Sequence, residues 1–154
     1  MRSLARSTDS TEERDRYYDA FQHATDPALA RRTLDLALTE ERPFAQWFPL
    51  VPDVAQGHPD LAWEFARTNA VALLAKVPDG GAFATRNTYF GFVAAPSLDA
   101  ARAAELEALV ALRVGDAAAA ETAKTSEQIR LNAAFAQREI PQVDAWIARK
   151  RSVR

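Results

Sequence analysis

The feature that most constrains the fold is a segment near the C-terminus that is apolar on two opposite sides when it is drawn as a helix. Residues 126–151 read SEQIRLNAAFAQREIPQVDAWIARKR. At 100° per residue, one side carries Ile129, Ala133, Ala136 and Ile140, and the nearly opposite side carries Leu131 and Phe135. A helix that is apolar on two sides needs a neighbour on each of them. The segment is therefore predicted to lie between two other helices.

A second segment has the same property. Residues 58–77, HPDLAWEFARTNAVALLAKV, are predicted to form one helix that begins at Pro59. One side carries Leu61, Phe65 and Ala72, and the opposite side carries Trp63, Ala70 and Leu74. A simple four-helix bundle hides one apolar stripe per helix, whereas a stacked array of helix pairs hides two on each interior helix. Two such segments therefore favour the stacked array.

Capping and proline signals mark the helix boundaries in the first third of the chain. Ser10 and Glu13 have the spacing of a capping box, in which Ser10 caps the amide of Glu13 and Glu13 reaches back. Asp26 and Pro27 combine an N-cap with a first helical residue. Pro43 ends the helix that begins there.

Further boundaries follow in the rest of the chain. Residues 43–57 are predicted to form a short or kinked helix, 78–81 a loop, and 83–96 a helix despite their aromatic residues. Pro96 and Ser97 begin another helix, and Gly115 ends it. A long helix runs from about residue 117 to Ile140, and a last one follows Pro141.

These segments predict an all-α fold, an irregular superhelix of antiparallel helix pairs (HEAT- or armadillo-like) with about eight helices. Only five glycines and eight prolines, most of them at apparent helix boundaries, agree with this class. Residues 1–9 are interpreted as an N-terminal tail or a boundary of the expressed segment, and 10–151 as a single helical-repeat domain. The chain has no exact internal repeat.

Composition excludes several function classes. The formal net charge of -2 gives no electrostatic reason to expect binding to nucleic acid or to an anionic membrane. The absence of cysteine excludes disulfides, thiol nucleophiles and thiolate metal sites. No apolar run approaches the ~20 residues that span a bilayer, and the N-terminus has no signal-peptide pattern. We therefore predict a cytoplasmic protein.

The chain has few residues in patterns typical of a catalytic site. His23 and His58 lack a second histidine at helical spacing, so no H-E-x-x-H zinc motif is present, and both are interpreted as capping or surface residues. Trp47, Trp63 and Trp146 are predicted to anchor the core. We expect no catalytic residue, no metal ligand and no cofactor in this chain.

Four polar residues stand next to apolar positions of predicted helices: Arg86, Asn87, Arg130 and Asn132. Their ordinary interpretation is hydrogen bonding between helices. The alternative is that some of them line a concave surface and bind peptide.

Three stretches together resemble one family: DPALARRTLDLAL, HPDLAWEFARTN and SEQIRLNAAFAQREIPQVDAWI. Their order is similar to the C-terminal helical domain of M1-family zinc aminopeptidases, the branch of the puromycin-sensitive and endoplasmic-reticulum aminopeptidases. The resemblance covers roughly residues 4–150. It implies a superhelix of helix pairs whose concave face closes over the active site of a separate zinc domain.

The chain departs from the family at its catalytic motifs. It lacks both H-E-x-x-H and G-x-M-x-N, and its only methionine is Met1. The resemblance therefore implies a non-catalytic last part of a longer domain, with Met1 as an added start codon. The parent would supply the zinc, the catalytic domain as partner, and peptide as substrate, with Arg86, Asn87, Arg130 and Asn132 as candidate peptide contacts. We also expect such a fragment to self-associate through the apolar end left by missing upstream helices. The alternative is a free-standing helical scaffold that binds a protein partner.

Overall fold

The computed structural model describes residue 4 and residues 7–41, 47–77 and 86–151. Within these residues the chain is all-α, as predicted. It has eight α-helices and no strand: α1 (Thr11–Gln22), α2 (Pro27–Leu36), α3 (Leu50–Gly57), α4 (Pro59–Thr68), α5 (Ala70–Lys76), α6 (Arg86–Ala94), α7 (Ala101–Arg113) and α8 (Ala119–Arg151). A short 3₁₀ turn, Asp116–Ala118, joins α7 to α8. The superhelical stacking of helix pairs stays a prediction.

The two N-terminal caps form as predicted, with one difference. The Ser10 hydroxyl accepts the amide of Glu13, and the Asp26 carboxylate accepts the amide of Ala28 at 2.7 Å. Glu13 does not reach back to the Ser10 amide. It accepts the Thr8 hydroxyl at 2.7 Å, and the Thr8 oxygen accepts the Ser10 amide instead. The Thr8 hydroxyl oxygen therefore takes the place of the Glu13 carboxylate as acceptor of the Ser10 amide.

The core is centred on α3, which packs against α1, α2, α4 and α6. One face of this short helix, with Leu50, Val51 and Val54, is completely buried. The buried aromatic residues lie beside it, and Trp47 and Tyr89 stack with ring centroids 5.7 Å apart. Parallel stacking of two large rings brings both a large buried area and a favourable aromatic contact. The core therefore fixes α6 against the segment that leads into α3.

The segment predicted as one helix over residues 58–77 divides at Asn69. The backbone leaves helical geometry there, and the amide of Asn69 bonds to the carbonyl of Phe65. The Asn69 side chain bonds to the same carbonyl at 2.9 Å, a local contact that competes with continuation of the helix. The prediction of two apolar sides is correct for α4, because Trp63 and Phe65 are both buried.

Helix α7 begins later than predicted. Residues 97–100 form a turn in which the Ser97 hydroxyl accepts the amide of Asp99. The Asp99 carboxylate then accepts the amide of Ala101, where the helix starts. Because Asp competes well for nearby backbone amides, this turn displaces the helix start away from Pro96.

The predicted break at Pro141 is wrong, because α8 is a single helix of 33 residues, about 50 Å long, that includes Pro141. Proline has no amide hydrogen to donate to the carbonyl four residues earlier. Residues 137–151 are almost entirely exposed, so a carbonyl left without its helical partner can bond to water. Exposure to water therefore explains how the helix tolerates the proline.

The second apolar side of α8 has no cover among the described residues. Ile129 is completely buried and faces the body of the protein, but Leu131 and Phe135 are 58% and 59% exposed. Trp146, predicted as a core anchor, is also 54% exposed, whereas Trp47 and Trp63 are buried as predicted. The prediction that α8 lies between two helices is therefore wrong within the described part of the chain.

Candidate functional site

Each of the four predicted site residues bonds to a different partner. The Arg86 guanidinium donates to the carbonyl of Val77 at 3.1 Å. The Asn87 amide donates to the carbonyl of Ala117 at 3.4 Å, which joins α6 to the 3₁₀ turn before α8. These bonds match the ordinary interpretation, in which polar side chains hold adjacent elements together.

The two residues on α8 are engaged in exposed contacts. Arg130 forms an ion pair with Glu107 of α7 at 2.9 Å, with both side chains about half exposed. The carbonyl oxygen of Asn132 accepts the side-chain amide of Gln128 at 2.7 Å, within α8. An exposed ion pair of this kind contributes little to stability, about 0 to 1 kcal/mol. Because the four residues bond to four different partners, they do not form one cluster.

One of the four borders a cleft between α6 and α8, of about 300 Å³. Asn87 stands at its α6 edge, and Gln128, which bonds to Asn132, stands at its α8 edge. We call it the α6–α8 cleft. Its remaining lining is formed by Thr88, Gly91, Phe92, Ala95, Glu121, Thr122, Lys124 and Thr125.

Gly91 explains why the two helices approach closely at this cleft. A methyl group built on Gly91 would lie 3.2 Å from the Thr125 hydroxyl oxygen, closer than side chains usually pack. A glycine within this predicted helix indicates that another helix can approach closely, although not which one. The Thr125 hydroxyl bonds to the carbonyl of Glu121, so it has a partner inside its own helix. The close approach therefore depends on shape rather than on an interhelical hydrogen bond.

The chemistry of the cleft suits binding rather than catalysis. Its edges carry side-chain amides, which can donate to and accept from a peptide backbone, and Phe92 supplies an apolar surface that is 47% exposed. The charged pair at its edge, Glu121 and Lys124, lies 2.8 Å apart on one exposed helix face. This arrangement can hold an extended polar chain against an apolar contact.

Arg86 borders a different cleft of about 350 Å³, between α5 and the end of α7. Arg113 lies at the same opening, with the exposed side chains of Val71 and Leu112. Two arginines beside apolar side chains can receive an acidic group attached to an apolar one. Arg86 and Asn87 are therefore adjacent in sequence but serve different surfaces.

A polar cluster that no sequence pattern predicts surrounds the buried Arg102, whose partners Asp60 and Glu105 are largely and about half exposed. The guanidinium of Arg102 bonds to Glu105 at 2.5 Å and to Asp60 at 2.7 Å, and lies over the ring of Trp63 at 5.2 Å. The Trp63 indole donates to Glu105 at 2.7 Å. Because Asp60 and Arg102 are separated by 42 residues, no local sequence pattern links them. The cluster ties α4 to α7 and is structural.

The perturbed titrating groups lie outside the α6–α8 cleft. Burial raises the pKa of the Tyr89 hydroxyl, which has no hydrogen-bond partner in the core. Arg67, which donates to Glu64 on the exposed face of α4, lowers the pKa of that carboxyl. Perturbed groups often mark catalytic sites, but here one belongs to the core and the other to an exposed ion pair.

Comparisons with protein families, curated proteins and solved structures found no match to this chain. The resemblance to M1 aminopeptidases therefore stays a prediction that rests on the quoted residues. Among the described residues, no helix combines the length and apolar character that crossing a bilayer requires.

Proposed function

We propose that this chain is a non-catalytic helical module of an M1-type zinc aminopeptidase. In the parent enzyme it packs against the catalytic domain, covers the active site and restricts peptides by size, and the enzyme works in the cytoplasm. The observation that carries the proposal is the correspondence between the three family-like stretches and the helices. The first stretch starts α2 at a capped Pro27, the second covers α4 and ends at its C-cap Asn69, and the third lies within α8.

The zinc site belongs to another domain in this proposal. Within the described ranges, no group of three or more His, Cys, Asp or Glu side chains lies close enough together to hold a metal ion. The side chains of these described residues therefore do not fit a zinc site. What the module contributes is a surface, and its role is to orient peptide and to exclude chains that do not fit.

The α6–α8 cleft supports a peptide contact at Asn87 more directly than at the other three candidates. Arg130 is held by Glu107, and Asn132 by Gln128. The Asn87 bond to the carbonyl of Ala117 is long at 3.4 Å, so a peptide carbonyl can replace it at small cost. We assign Asn87 to the edge of the peptide path.

The first test is the DNA sequence upstream of the codon for Arg2. An open frame that continues through G-x-M-x-N and H-E-x-x-H supports the proposal. A native start at Met1 with stop codons before it contradicts the proposal.

The second test uses the whole enzyme encoded by that frame. Asn87→Ala is expected to lower kcat/KM on long peptides by about 2- to 10-fold, the effect of one hydrogen bond, and to leave the hydrolysis of aminoacyl anilides unchanged. Gln56→Ala, an exposed residue at the end of α3, is the matched control. Equal kinetics of Asn87→Ala and the control on long peptides would remove Asn87 from the peptide path.

A free-standing interaction scaffold is the second candidate. The observation that favours it is the set of exposed apolar side chains on the last turns of α8, which includes Val143 and Trp146. Exposed apolar patches on otherwise polar surfaces commonly mark protein–protein contacts. A native start at Met1 would favour this candidate over the first.

A further inference from the structure

One stripe of mostly apolar side chains runs along α8 from Thr122 to Ile147, and only its first part is covered. We define the α8 stripe by its spacing of alternately three and four residues: Thr122, Ser126, Ile129, Ala133, Ala136, Ile140, Val143 and Ile147. The first five are buried against the protein. The last three are 49%, 53% and 36% exposed, and nothing in the described part of the chain covers them. The spacing is that of helices which pack side by side, so the exposed half is shaped for another helix.

We propose that the exposed half of the α8 stripe pairs with the same segment of a second copy of this chain, in antiparallel orientation. The segment involved is residues 137–151, about 22 Å of helix. A two-fold pair of this kind uses the same surface on both copies, so it closes without leaving a further apolar surface.

The charges of the segment select the antiparallel orientation. Residues 137–144 carry one arginine and two carboxylates, a net charge of -1. Residues 145–151 carry two arginines and one lysine, with no acidic residue, a net charge of +3. Antiparallel pairing places the basic end of one copy beside the acidic part of the other, with Glu139 near Lys150 and Arg151. Parallel pairing would place the two basic ends together, which costs free energy through like-charge repulsion.

The surface beside the stripe has room for the largest side chain of the segment. A shallow groove of about 540 Å³ lies along α8, where Ala133 and Ala136 are small and Leu98 and Pro141 form the walls. In an antiparallel pair centred near residues 143–144, Trp146 of one copy lies level with Pro141 of the other. Its ring, which is half exposed and flanked by Lys150 at 5.8 Å, has the size to enter this groove.

The apolar area that the dimer buries sets the expected strength of association. Ile140, Val143, Trp146 and Ile147, each about half exposed, present roughly 400 Å² of apolar surface per copy. Two copies, with the stems of the flanking charged residues, bury about 1,000 to 1,200 Å², the lower end of specific interfaces. We therefore expect a reversible dimer with a Kd of about 10 to 100 µM.

Sedimentation of the 154-residue chain from about 1 to 300 µM tests the dimer. Val143→Lys is expected to raise the dimer Kd more than about tenfold. Leu131→Lys is the matched control, because Leu131 is 58% exposed on the same helix but lies off the stripe. Far-UV circular dichroism verifies that both variants remain folded. A chain that is monomeric throughout, or a control that weakens association as much as Val143→Lys, overturns the proposal and leaves the stripe to a different protein.

The orientation has its own test at low salt. The double variant Lys150→Glu and Arg151→Glu adds acidic groups beside the partner's Glu139 in an antiparallel pair, so its Kd is expected to rise. In a parallel pair the same variant would relieve repulsion between the basic ends, and its Kd would fall. A lower Kd therefore overturns the antiparallel assignment, and about 0.5 M salt should remove most of the difference.

This pairing stands apart from the aminopeptidase proposal. It uses the C-terminal end of α8, whereas the self-association expected from the sequence uses an apolar end left by missing upstream helices. The DNA test decides the parent enzyme without reference to the dimer, and sedimentation decides the dimer without reference to activity. Either proposal, the parent aminopeptidase or the dimer, can therefore be excluded while the other stands.

Discussion

Two isoleucines on one stripe of one helix provide a direct measurement of how much the body of the protein stabilises α8. Ile129 is completely buried, and Ile140, eleven residues later, is 49% exposed. Replacing either by alanine removes three carbon atoms and changes helix propensity equally. Any difference between the two variants therefore reports packing.

The magnitudes follow from burial. Removing three buried carbons from Ile129 costs about 2.4 kcal/mol of transfer free energy, and the cavity left behind raises this to about 3 to 4 kcal/mol. About half of the Ile140 side chain is already in water, and its exposed neighbours can relax, so its loss in the monomer is about 1 kcal/mol. The expected ratio of the two effects is therefore about three or more.

Urea unfolding at about 1 µM protein, followed by tryptophan fluorescence, measures both losses with the chain monomeric. With a slope near 2 kcal/mol/M, Ile129→Ala should lower the midpoint by about 1.5 to 2 M, and Ile140→Ala by about 0.5 M. Equal shifts for the two variants would refute the reasoning, because they would mean that α8 does not pack on the body as described. A loss at Ile140 that grows with protein concentration would indicate the dimer instead.

Three further tests concern backbone strain, an unpartnered hydroxyl and the ion cluster around the buried Arg102. Gly115 has φ +92, so Gly115→Ala should cost about 1 to 3 kcal/mol although space is open, whereas Gly57→Ala in α3 should stabilise by about 0.5 kcal/mol; urea unfolding compares them. Because burial raises the pKa of Tyr89 in the folded state, stability should fall as pH rises above about 10, and Tyr89→Phe should reduce that fall in pH-dependent unfolding. Arg102→Lys loses the fork that reaches both carboxylates, so thermal unfolding should show a loss of about 1 to 3 kcal/mol.

The helix starts could be predicted where the signal is local. Asp26 followed by Pro27 specifies both the cap and the first helical residue, and the structure has both. Ser10 caps as its spacing indicates, but the partner of Glu13 is Thr8, which lies outside the four-residue pattern. The predicted start of α7 at Pro96 was wrong, because the Asp99 side chain binds the amide of Ala101 and the helix begins there.

The contents of the core could be predicted only in part, because amphipathic pattern does not specify what covers a face. The opposed positions of Trp63 and Phe65 are both buried, since α4 lies inside the fold. The opposed positions Leu131 and Phe135 have the same pattern and are exposed. The difference depends on which helices lie beside each segment, and that information is distributed over the whole chain.

A residue of the candidate site could be identified from the sequence, but the position of the cleft that it borders could not. Asn87 could be identified because a polar side chain stands next to the buried Tyr89 and Phe90. That it borders a cleft with Gln128 depends on the close approach of α6 to α8 at Gly91, which spacing within either helix does not reveal. The Arg102 cluster joins residues 42 positions apart and has no sequence signal of its own.

Pro141 connects the wrong helix boundary with the uncovered stripe. A separate last helix, folded back after Pro141, would have covered Ile140, Val143 and Ile147 within one chain. In the continuous α8 the same side chains project beyond the body, and nothing in the described part of the chain covers them. An antiparallel pair of α8 segments would place these side chains against a helix of another copy, a contact between chains of the kind that domain exchange produces. The uncovered stripe and the wrong helix boundary thus have the same cause, because the continuous helix at Pro141 carries residues 140–147 away from the described body.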